Sequence, residues 1–80
     1  MKAIINGLMY DTDKATVLHH GEGYALYMTA KGAFFIVYRG SGDNDTSSII
    51  EIPPIDQVLE MLGKYQPDKY IYIFGDVEDA

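Results

Sequence analysis

The sequence predicts an α+β fold: a small two-layer domain, with an antiparallel β-sheet of four to five strands covered on one face by a single helix near the C-terminus. Three observations lead there. Apolar runs of strand length recur through the first 52 residues, separated by turn-forming Gly, Asn and Asp. A single stretch, 55–65, places its apolar residues at helical spacing. A final apolar run, 70–74, follows that helix and reads as a closing strand. The 80 residues hold one domain, 1–80.

The elements follow in order. Residues 2–5 form a β-prone run that enters Asn6-Gly7, the strongest two-residue signal for a hairpin turn, and Leu8-Met9-Tyr10 returns as the partner strand. Asp11-Thr12-Asp13 is a turn, because its short side-chain oxygens bond nearby backbone N–H groups. Residues 15–20 are extended again, and "GEG" at 21–23 interrupts them. Residues 24–29 and 33–39 are the clearest strand pair, joined by Ala30-Lys31-Gly32. The loop "GSGDNDTSS", 40–48, contains no apolar residue. Residues 49–52 form another strand, stopped by Pro53-Pro54.

The helix comes next. Ile55, Val58, Leu59, Leu62 and Tyr65 fall at i, i+3, i+4, i+7 and i+10, on one helix face. Pro54 suits the first helical position, Asp56 complements the helix dipole, and Gly63 followed by Pro67 marks the end. In the closing strand, Ile71 and Ile73 face the helix while Tyr70, Tyr72 and Phe74 point to the opposite side. One helix cannot cover both faces of such a sheet. Tyr70 and Tyr72 are therefore candidates for a homodimer contact.

Twelve acidic and six basic side chains give a net charge of −6. The distribution is uneven: residues 1–39 carry three acids and four bases, whereas 40–80 carry nine acids and two bases. An acidic second half repels free nucleic acid and attracts basic protein surfaces. The absence of cysteine excludes disulfides and thiolate zinc sites and points to the cytoplasm. Polar Asn6 and Gly7 follow only three apolar residues, so no signal peptide is expected, and no apolar run approaches the about 20 residues of a membrane span.

No catalytic, cofactor or metal motif is legible. His19 and His20 point to opposite faces of a strand and cannot easily chelate one ion. "DNDTSS" begins like a calcium loop, but Ser48 and Pro54 stand where the loop needs glycine and a bidentate glutamate. The serines, confined to 41–48, have no neighbouring base, and "GEG" and "GSG" lead into no helix. Asp56 and Glu60 read as solvated charge, with Glu60 placed to pair with Lys64. The chain is expected not to be an enzyme. Seven tyrosines could stack single-stranded bases, but the basic groove that such binders need is missing.

The opening "MKAIINGLMYDTDKA" and the later "YMTAKGAFF" carry a resemblance. The pattern K-x-I-I-N-G-x-x-Y-D-T-x-x-A, met here by Ile4, Ile5, Asn6, Gly7, Tyr10, Asp11, Thr12 and Ala15, resembles a group of very small proteins of phages and mobile elements. Tyr27, Thr29, Lys31, Gly32, Phe34 and Phe35 continue it. That group includes anti-CRISPR proteins, and this chain is similar to those of type I-C. The matching residues belong to turns and hairpins, so they identify a scaffold, not a site. The loop "HHGEG" is short, and a long middle insertion of other members is missing, so whatever those insertions do does not transfer.

The resemblance implies an inhibitor, cytoplasmic in a bacterial host cell, that binds a protein subunit of a type I CRISPR surveillance complex (Cascade) and stops it from engaging target DNA. The acidic residues Asp43, Asp45, Asp56, Glu60, Asp76, Glu78 and Asp79 are then the partner-binding set, imitating DNA phosphates before a basic DNA-binding surface. No cofactor, direct nucleic-acid contact or membrane is expected. Two alternatives stand beside it. One is a phage inhibitor of another host DNA-binding system, a restriction enzyme or a polymerase. The other is a small RNA-binding protein using its tyrosine-rich sheet face.

Overall fold

The computed structural model describes residues 1–39 and 49–79. The chain begins as a hairpin of β1 (Lys2–Ile5) and β2 (Leu8–Asp11). Asn6 and Gly7 have φ of 52° and 79°, the left-handed pair of a tight turn whose twist matches that of the strands. Strands β3 (Thr16–Gly21), β4 (Tyr24–Met28), β5 (Phe34–Tyr38) and β6 (Ile49–Glu51) form a separate four-stranded antiparallel meander in sequence order. Two helices follow, α1 (Ile55–Tyr65) and α2 (Pro67–Phe74). The α+β class and the four-stranded antiparallel sheet agree with the sequence.

Alternation along the strands builds the core. Leu18, Leu26 and Ile36 project from β3, β4 and β5 onto Val58 and Leu62 of α1, and all five are buried. Pro54 stands at the N-cap of α1, one residue before the position expected, and its carbonyl accepts the Gln57 and Val58 N–H groups at 3.0 and 3.3 Å. The helix runs through Gly63 and ends at Tyr65, before Pro67, as the sequence predicts.

The far face of the sheet is covered in part from within the chain. Phe35 points away from α1 and is fully buried, with Tyr27 stacked on it and the Tyr10 ring of β2 meeting it edge-on at 5.5 Å. The β1–β2 ribbon thus uses Tyr10, only 6% exposed, as the anchor that holds it against the side opposite the helices.

The closing strand expected at 70–74 is a helix instead. "YIYIF" is apolar throughout and so carries no period of its own. Pro67 occupies the first turn, where its ring pre-sets φ and its missing N–H leaves no bond unmade, and Asp68 complements the dipole. Tyr70, Ile73 and Phe74 then fall at i, i+3 and i+4, the stripe that turns inward. Tyr70 lies over Gly63, and Phe74 meets Phe34 at 5.9 Å. Ile71, expected beneath the helix, is 40% exposed, and Ile73 is half-buried.

Candidate functional site

The acidic residues occupy separate elements. Asp56 and Glu60, one turn apart on α1, are exposed on the side away from Val58 and Leu62. Asp76, Glu78 and Asp79 are exposed in the segment that leaves α2 after Gly75, whose φ of 101° turns the chain out of the helix. Asp43 and Asp45 lie outside the described residues. Asp68, exposed in the first turn of α2, joins the acidic positions, and the strand assignment of 70–74 hid its helical setting.

Around Glu60, α1 and the start of β4 enclose a shallow concavity of about 240 Å³ lined by Tyr24, Gln57, Met61, Lys64 and Tyr65 as well as Glu60 itself. The Lys64 ammonium lies 5.2 Å from the centre of the Tyr65 ring, a cation–π contact. His19 packs against α1's last turn. Its imidazole stacks on Tyr65 at 5.1 Å with a 6° interplanar angle, and Nδ1 lies 3.3 Å from Gln66 Nε2. Register slips by one residue at Leu18, between Val17 and His19, and the bulge presents the Leu18 carbonyl to Lys69, whose Nζ donates to it at 2.7 Å. His19, Gln66 and Lys69 therefore fasten the helix pair to the edge strand. His20, its neighbour, is exposed, and no group of three or more His, Cys, Asp or Glu among the described residues is placed to hold a metal ion.

The two tyrosines expected to share a surface are split. On a strand, Tyr70 and Tyr72 point the same way; on α2, two residues apart means roughly opposite sides. Tyr70 is half-buried against Phe74, whereas Tyr72 is 88% exposed. The sheet tyrosines pack on one another and on their neighbours: Tyr24 meets Tyr38 and His19, and Tyr27 stacks on Phe35.

One surface escaped the sequence altogether. Between β2 and the β4–β5 turn runs a groove of about 370 Å³, with Leu8, Met9, Ala15 and Ala33 along its apolar lining and Lys14 and Lys31 at its polar positions. Its residues come from three separate segments, which only the folding of the ribbon beneath the sheet brings together. No protein-family model matches the chain, and neither the curated proteins nor the solved structures provide a match.

Proposed function

We propose that this chain is an anti-CRISPR protein that binds a type I surveillance complex, of type I-C by resemblance, and blocks its engagement of target DNA. The observation that supports this reading is the exposure of Asp56 and Glu60 on the solvent side of α1 and of Asp76, Glu78 and Asp79 in the segment after α2. DNA-reading channels bind phosphate chiefly by charge, and a compact acidic domain competes for such a surface without chemistry. The packing of Tyr24, Tyr27 and Tyr38 leaves the RNA-binding alternative less surface for base stacking.

The test is inhibition of target-DNA binding by a purified type I-C complex, measured with the wild-type chain and two charge-reversed variants. Asp76→Lys with Glu78→Lys and Asp79→Lys is expected to reduce inhibition strongly. Asp13→Lys with Glu22→Lys, two exposed acids in turns of the other half, is expected to leave it intact. Equal loss in both variants, or none in either, refutes the acidic-surface mechanism. Failure of the wild-type chain to bind the complex refutes the CRISPR assignment and favours another DNA-binding host system, which a pull-down from host extract then identifies.

A further inference from the structure

The groove beside β2 has the shape to take an extended segment. Every residue of β2, Leu8 to Asp11, lines it, and among the described residues β2 is paired with β1 alone, in a two-stranded sheet. A free strand edge beside an apolar trough is the setting in which an extended segment adds as a further strand, through main-chain hydrogen bonds and alternate side-chain pockets. Lys14 and Lys31 reach the groove from two different turns and outnumber Asp11, the one carboxylate that borders it. The site therefore favours an extended segment with an apolar residue flanked by carboxylates.

The chain contains such a segment. In 75–79, Asp76 and Glu78 flank Val77, which is 59% exposed, and none of the three belongs to a helix or strand. In an extended conformation Val77 points to one side and the two carboxylates to the other. We infer that segment 75–79 of one copy docks into the β2 groove of a second copy, Val77 on the apolar lining and Asp76 and Glu78 toward Lys14 and Lys31. The charge asymmetry of the chain, basic on balance before residue 40 and acidic after it, favours the same head-to-tail arrangement. This inference stands independently of any CRISPR partner, and it places the acidic segment under competition, since a copy engaged by its neighbour has fewer carboxylates to offer elsewhere.

Sedimentation of the full chain, from micromolar to near-millimolar concentration, tests it. The wild type is expected to self-associate at low salt and to dissociate as salt rises. Lys14→Glu with Lys31→Glu, and separately Asp76→Lys with Glu78→Lys, should each weaken association by about tenfold or more, because each replaces attraction with repulsion. Mixing the two variants restores complementarity and should restore association between them, which also shows that both are folded. A wild type that stays monomeric over the whole range overturns the inference. So does a mixture that fails to associate, or an association abolished by Tyr72→Lys and indifferent to the charge reversals, which assigns the contact to the exposed face of α2.

Discussion

At the scale of single residues, burial and not composition decides what a side chain is worth. Leu59 and Leu62 lie on the same predicted stripe, yet Leu62 is fully buried while Leu59 is only half-buried. Leu62→Ala is expected to destabilise the chain by about 2–5 kcal/mol, with Leu59→Ala at or below the low end, because its removal leaves a smaller cavity. Urea titration of the two variants checks the order, and equal losses contradict it. Gly63 predicts the opposite sign. A methyl group there meets the Tyr70 ring at an ordinary 3.7 Å and relieves a helix-interior glycine, so Gly63→Ala should stabilise by about 0.5–1 kcal/mol. A lower denaturation midpoint for that variant removes the basis of the packing between α1 and α2.

At the scale of elements, α2 is the one that sequence reading mistook, and its attachments explain what it became. It buries no residue completely and is held by a few specific contacts: Lys69 to the Leu18 carbonyl, Tyr70 over Gly63 and Phe74 beside Phe34. Its exposed side should therefore tolerate truncation. Tyr72→Ala replaces an exposed ring with the best helix former, and stability should stay within about 0.5 kcal/mol of wild type with the helical circular-dichroism signal undiminished. Were 70–74 a strand, the same change would remove a β-favouring aromatic and lower stability. The hairpin tells the complementary story. Asn6-Gly7 specified its turn in advance, but nothing in its four-residue strands announced that Tyr10 would hold it beneath the larger sheet.

At the scale of the whole molecule, charge and shape act together. The helices cover one face of the sheet, the ribbon covers part of the other, and the acidic side chains of α1 and of 75–79 remain in solvent. Binding to a basic partner through those carboxylates must weaken as ionic strength rises, since exposed pairs are screened within about 10 Å at 0.1 M salt. For the surveillance complex proposed as partner, the affinity is accordingly expected to fall steeply between low and moderate salt, as titration calorimetry can measure. An affinity indifferent to salt, with Tyr72→Lys damaging it, instead assigns binding to the apolar side of α2. Self-association through the β2 groove adds a second dependence, because dilution then frees 75–79 and strengthens apparent binding per chain.

By itself the sequence determined the hairpin turn at Asn6-Gly7, the strands of the meander to within a residue or two, the face of α1 and the acidic bias of its second half. Each is a local property: a φ > 0 pair, a period of two, a period of 3.6, a count of charges. Tertiary structure alone decided three further things. It made 70–74 a helix, because an uninterrupted apolar run satisfies either period and the contacts with Gly63 and Phe34 select between them. It parted Tyr70 from Tyr72, since the angle between neighbours' side chains follows from the element that carries them. And it made the β2 groove, whose walls come from turns and strands distant in sequence, so that no local pattern could announce it.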